Sequence, residues 1–440
     1  MSGEQALREA LSEEDSPGAV DRGRRRLRLT PPAHSLVAGG ATGSRASVIL
    51  AVGFVAALAS SPGQSFWLSL FVDDMIAGTG LGRTGFSAVY AGATVFSAAM
   101  VLAVGSAFDR YGAARTWVAV ALGLAAGSLL MSVAAGAVVA LVALGMLRAF
   151  GQGSFPLLGT LLVARTFGTW RGRALAVSHL GSTLAAAALP PVAAGLLAAF
   201  GWRASLQITA VVILVAVLPM ALVVRWAIAG TAASQPAPAT RENRGSFTAR
   251  VAVRARRFPW RNGGGALLVI LSAAPLISTA AVFHAVSLLG ASGVSRAGAA
   301  GALSLLAISA ALGAVGGGTL VDRTGVRAGL LAMSGLLAVA MGLLLVPVAA
   351  VALGGFAVLG LAAGMNATGS GAAWARTFGV ERLGELQGVG EATRIAAAAL
   401  GPLPLAIAIE TTGAYAAGLV ALGAFAVACA VLSVRWHHER

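Results

Sequence analysis

Two arginines lie deep inside long apolar runs: Arg148, in RAFGQG, and Arg394, in GEATRIAAAAL. A guanidinium stays charged at physiological pH and meets a carboxylate through two parallel hydrogen bonds. An ionisable group inside an apolar run is expensive unless it faces a partner or a cavity, so both are candidates to bind an anion. The runs are 138–163 and 384–409, entered from opposite sides. Each arginine stands about ten residues in, or ~15 Å at 1.5 Å per residue. Both charges therefore reach the middle of an apolar layer about 30 Å thick. Glu391 precedes Arg394 by three residues. It either balances that charge on one helix face or carries a coupled proton. Arg148 has the plainer alternative of bonding a carbonyl.

Other polar residues share these runs. Pro62 and Gly63 interrupt the first run in SSPGQSFWLSLFVDD, and Gln64, Ser65 and Trp67 follow as candidate binding residues. A broken helix is tolerated in a membrane where it borders protein or a cavity. Asp73 and Asp74 end that run and read as solvated acids. Asn366 is a further candidate binding residue, and His284 a candidate for proton coupling because imidazole titrates near neutral pH. No metal-ligand cluster and no phosphate-binding loop occurs, so neither metal nor cofactor is expected. The single Cys429 reads as a small packing residue.

These side chains must be positioned by membrane helices. Of 440 residues 58% are hydrophobic and 11% charged, against about 25% charged in a soluble domain. Twelve runs are long enough to span: 46–72, 85–108, 116–135, 138–163, 173–198 and 204–228, then 263–289, 297–320, 328–346, 349–373, 384–409 and 414–434. The domains are a polar tail 1–45, a six-helix half 46–228, a Pro- and Arg-rich linker 229–262, a second half 263–434 and a tail 435–440. All 31 basic residues are arginine, which with the abundant Ala, Gly and Val suggests a GC-rich bacterial genome. Arg83, Arg203 and Arg296 alone fall in the odd-numbered gaps. Most others gather in the tails, the even gaps and the linker, which places both termini in the cytoplasm. This pattern, rather than nucleic-acid binding, accounts for the net charge of +15.

The halves repeat each other. GSAFDRYGAAR from Gly105 returns as GTLVDRTGVR from Gly318. Gly105, Asp109, Arg110 and Gly112 match Gly318, Asp322, Arg323 and Gly325. Gly151 matches Gly364 at the same offset. Glycine suits a short turn, and at the end of an apolar helix it lets a neighbour approach closely. The aspartates can meet a helix N-terminus or an arginine.

The doubled G-x-x-x-D-R-x-G motif resembles the signature loop of the major facilitator superfamily, over about 46–434. The resemblance implies an all-α integral membrane protein with twelve transmembrane helices in two pseudo-symmetric six-helix bundles. It implies a secondary transporter, not an enzyme, working by alternating access as a monomer in the bacterial cytoplasmic membrane. The aspartates would latch the cytoplasmic ends when the protein faces outward, Asp109 at the start of span 11 near 384–390, and Asp322 at the start of span 5 near Arg171 and Arg173. RAFGQG, WRGRALA, GWR and ALGP are similar to the branch of monocarboxylate transporters and oxalate/formate exchangers.

The expected cargo is a small organic anion, a mono- or dicarboxylate, moved with a proton or by exchange. Two alternatives stand beside it: efflux of an apolar or cationic compound, and a membrane receptor on the same fold. An unpaired midplane acid would favour the efflux of a cation.

Overall fold

The computed structural model describes residues 43–168, 170–229, 258–379 and 383–436. Most of the two tails and of the linker lies outside the described residues. Nearly everything described is helical, and no strand occurs among these residues. Eleven helical runs are long and apolar enough to cross a membrane. One of them, Arg171–Ile228, has 58 residues. A straight helix of that length would measure about 87 Å, nearly three times the apolar core. Gly201 breaks it with φ 73° and ψ 169°, a conformation reserved for glycine. The run is therefore spans 5 and 6, and the twelve spans stand where the apolar runs put them.

The helices are apolar all round, as membrane helices are. Val138, Val215 and Val315 are each more than 70% exposed; in water such a surface would drive aggregation. Span 2 (Arg83–Tyr111) packs on span 11 (Leu383–Leu400 and Pro402–Thr412), and span 5 packs on span 8 (Arg296–Thr324). Exchanging the halves exchanges these two contacts, which is the mark of a duplicated unit.

The Asp-Arg-x-Gly turns sit at one end of the helices, here termed the motif end. Gly112 (φ 82°, ψ 165°) and Gly325 (φ 90°, ψ 171°) take the same glycine-only conformation between their helices. The reading of Gly105 and Gly318 is corrected. A Cβ on Gly105 would come no nearer than 3.8 Å to Leu157, and one on Gly318 would meet open space. Helices touch instead at Gly317, the residue next to Gly318, and deeper at Gly364. A Cβ on Gly317 would lie 2.8 Å from Met365, and one on Gly364 would collide with the Ala310 carbonyl oxygen.

Candidate functional site

Span 1 begins as Gly43–Ala59 and breaks into a 3-10 turn, Ser61–Gly63, before resuming as Ser65–Leu68. Pro62 lacks an N–H and shapes the break. Opposite it, span 4 widens into a π-helical stretch, Leu147–Ser154, between Gly136–Met146 and Phe155–Thr166. Such stretches often mark functional sites. The two irregularities lock together. A Cβ on Gly151 would lie 2.8 Å from the Gly63 Cα, so both positions need glycine.

This junction fixes Arg148. The side chain is fully buried. Its Nε donates to Thr94 Oγ1 (3.1 Å), and Nη1 donates to Ser65 Oγ (3.2 Å) and the Gly63 carbonyl (3.4 Å). The guanidinium lies 4.5 Å from the centre of the Tyr90 ring, and the Tyr90 hydroxyl meets Ser65 Oγ at 2.7 Å. Nη2 is buried with no hydrogen-bond partner. Among the described residues no carboxylate pairs with Arg148. Thr94 and Tyr90 escaped the sequence reading, because nothing in their spacing separates them from other helix residues.

Beside Ser65 a cavity of about 450 Å³ lies between the halves. Gln64, Ser65, Ser182, Thr183, Ser278 and Thr279 supply its polar groups, and its other walls are apolar, among them Phe66, Val282, Leu303 and Leu306. A second cavity of about 360 Å³ lies among spans 7, 10 and 11, with Ser272, Asn366, Ser370, Gln387, Glu391 and Arg394 on its walls. Ala367 borders both cavities. The Oδ1 of Asn366 is buried and unpartnered. Arg394 is held by Glu391 through Nε (2.7 Å) and Nη2 (2.5 Å), with both side chains about half exposed.

Three candidates line neither cavity, and the first is Arg148, which reaches the cavity wall only through its bond to Ser65. Trp67 is buried in the core, tilted on Phe71 at 5.9 Å, and lines neither cavity. His284 sits at the far end, opposite the motif end. There its Nε2 meets the Pro402 carbonyl at 3.0 Å and its Nδ1 faces Arg83 Nη1 at 3.4 Å.

The far end clasps the halves together. Arg83 reaches from span 2 to Ser287 Oγ (3.1 Å) while Nη2 holds Asp73 (2.7 Å). Asp74 pairs with Arg296 of span 8 at 3.0 Å, and the Thr84 N–H donates to Glu410 of span 11 at 2.9 Å. Asp73 and Asp74 are thus ion-paired rather than solvated, because span 1 ends against arginines of spans 2 and 8.

At the motif end each aspartate meets an arginine that the sequence reading did not name. Asp109 pairs with Arg165 of span 4, and Asp322 with Arg376 of span 10 at 2.6 Å. Each pair stays inside its own half. Arg376 also donates to the Val321 carbonyl (2.8 Å). Arg171 instead bonds the Phe167 carbonyl, and Arg173 stacks on Trp170. A signal for the two ion pairs was present: ARTFG occurs at 164–168 and again at 375–379. Arg110 and Arg323 are exposed.

The sequence profile of the Major Facilitator Superfamily matches residues 46–402. No curated protein sequence matches the chain significantly. Solved structures are similar in fold. A bacterial homolog of the human lysosomal transporter Spinster, inward-facing and unoccupied, is 15% identical with a TM-score of 0.67, over 88% of this chain and 96% of its own. The nucleoside transporter NupG is 15% identical with a TM-score of 0.65, over 89% and 100%. A POT family transporter in complex with 5-aminolevulinic acid is 14% identical with a TM-score of 0.69, over 92% and 99%.

Proposed function

This chain belongs to the major facilitator superfamily, and we propose that its cargo is an organic anion carrying a carboxylate. It is a multi-pass membrane protein with the fold of a secondary transporter. The observation that carries the anion is Arg148: a fully buried guanidinium with one unpartnered nitrogen and no carboxylate beside it among the described residues. Removing an ion from water costs several kcal/mol unless a counter-charge replaces the lost solvation. A mobile carboxylate supplies that charge when it enters.

The cargo's apolar body would lie against Phe66, Leu303 and Leu306 in the cavity between the halves, with Gln64 and Ser65 beside its head group. Arg394 forms the second arm, and Glu391 is its stand-in ligand while the site is empty. Cargo displaces Glu391, which then takes up a proton. This supports proton-coupled movement or exchange of one anion for another. The arginine distribution supports a motif end in the cytoplasm of a bacterium.

The apolar walls favour one second reading, export of an apolar compound. A thermal-shift screen of the purified protein against carboxylates and lipophilic cations separates the two, followed by uptake into proteoliposomes. Stabilisation by carboxylates, lost in both Arg148→Ala and Arg394→Ala, is the expected result. Full carboxylate affinity in both folded variants overturns the anion reading.

A further inference from the structure

The Pro402 carbonyl can only accept a hydrogen bond, so the proton of the neutral His284 ring is on Nε2. Its Nδ1 then carries a lone pair, and that lone pair faces Arg83 Nη1 across the boundary between the halves at 3.4 Å. Arg83 is the centre of the far-end clasp, holding Asp73 in its own half and Ser287 in the other. His284 is 1% exposed, and its ring packs between Phe283 and Tyr415. It cannot turn away from Arg83 without breaking the Pro402 bond.

We infer that His284 is the proton-binding residue that operates the far-end clasp, an inference that rests on the rocking of halves implied by the proposed function. A second proton has one place to go, Nδ1. It converts an acceptor facing a guanidinium into an N–H donor on a cation facing a cation. The hydrogen bond is lost and repulsion takes its place. Ser287 keeps its bond to the Tyr415 hydroxyl (2.6 Å), but that bond lies within one half and holds nothing closed. Acid on the far side therefore releases Arg83 and opens the cavity to that side, and loss of the proton closes it again.

The other charged and titratable groups at this end are on the page. Span 1 brings Asp73 and Asp74, span 2 Arg83 and Tyr90, the turn between spans 5 and 6 Arg203, which stacks on Trp202, span 8 Arg296, span 11 Glu410, and Tyr415 precedes span 12. Span 10 brings none at this end among the described residues. The three carboxylates hold clasp contacts of their own, so acid acting on them also loosens the clasp. The His284→Gln variant below separates their contribution from that of the ring.

The test reads the far-end opening directly. Cysteines at Val133 and Val348, both exposed at this end, are spin-labelled in full-length protein carrying Cys429→Ser, and their separation is measured in lipid nanodiscs from pH 8 to pH 4. The expected result is a shift toward longer distances as the pH falls. His284→Gln retains an amide N–H for Pro402 and an oxygen for Arg83, and its distances stay short across the range. Arg83→Gln removes the facing cation, and its distances no longer respond to pH. An unchanged acid shift in His284→Gln assigns the response to Asp73, Asp74 or Glu410 and overturns the proposal, as does a wild type that never lengthens. Should one variant misfold, the other still decides. Acid opening without carboxylate transport would sink the proposed cargo and leave His284 standing. Carboxylate uptake with the same pH profile in His284→Gln would do the reverse.

Discussion

Arg376 holds Asp322 at 2.6 Å from the end of span 10, as Arg165 holds Asp109 from the end of span 4. The same five residues, ARTFG, carry both arginines. Each Asp-Arg-x-Gly turn is thus bound to its own half while the far end is clasped. An exchange of ion partners is the movement this suggests for closing the motif end.

Charge reversal distinguishes a local pair from a latch. Asp109→Arg and Arg165→Asp are each expected to impair uptake. Exposed ion pairs contribute about 0–1 kcal/mol, so thermal stability should fall little. If Asp109 acts only through Arg165, the double variant regains wild-type uptake. A double variant that folds but stays inactive shows that Asp109 needs a partner in the other half, and accessibility labelling of cavity cysteines would locate it.

Arg148→Met is expected to leave the empty protein as stable as wild type or more so. The guanidinium's hydrogen-bond partners are all neutral, and apolar replacement of a buried charge is often neutral or stabilising. The same variant should lose carboxylate binding. Arg148→Lys keeps the charge but loses the planar fork, so affinity should fall roughly 10- to 100-fold, the equivalent of about 1.5–3 kcal/mol. Melting curves with and without carboxylate check both statements. A large drop in melting temperature for the empty Met variant would show Arg148 to be structural.

Glu391→Gln removes the carboxylate that competes for Arg394. Anion binding at pH 7.5 should tighten, and the pH dependence of uptake should flatten. Arg394→Ala should weaken binding by roughly 10- to 100-fold. Isothermal titration across pH reads these effects. If Glu391→Gln binds as wild type at every pH, Glu391 has no part in coupling.

Gly63→Ala tests the junction of spans 1 and 4. The new methyl would collide with the Leu147 carbonyl oxygen, next to Arg148. Overpacking typically costs about 1–3 kcal/mol, and the displaced carbonyl would also misplace the guanidinium. A lower melting temperature with a proportionally larger loss of carboxylate affinity is expected. Gly318→Ala, which meets open space, serves as the control and should change neither.

The helical spans and the duplication were legible in the sequence. A bilayer imposes a length and an apolar composition on every crossing segment, and both are local properties of the chain. The charge balance of Arg394 by Glu391 was legible for the same reason, since residues three apart share a helix face.

What the tertiary structure decided was every pairing between helices. Asp73, Asp74, Arg83, Arg296 and Glu410 lie in separate stretches of sequence, and only the docking of the halves makes them a clasp. Trp67 follows Ser65 by two residues, yet Ser65 borders the cavity and Trp67 turns into the core. Thr94, Tyr90, Gly63 and Ser65 surround Arg148 only because a broken span 1 seats against a widened span 4. Hydropathy fixes how deep a residue lies, but it is almost blind to rotation about a helix that is apolar on every side. Which face meets a neighbour, a cavity or lipid is settled by packing, and in this chain the packing decides which charges are paired.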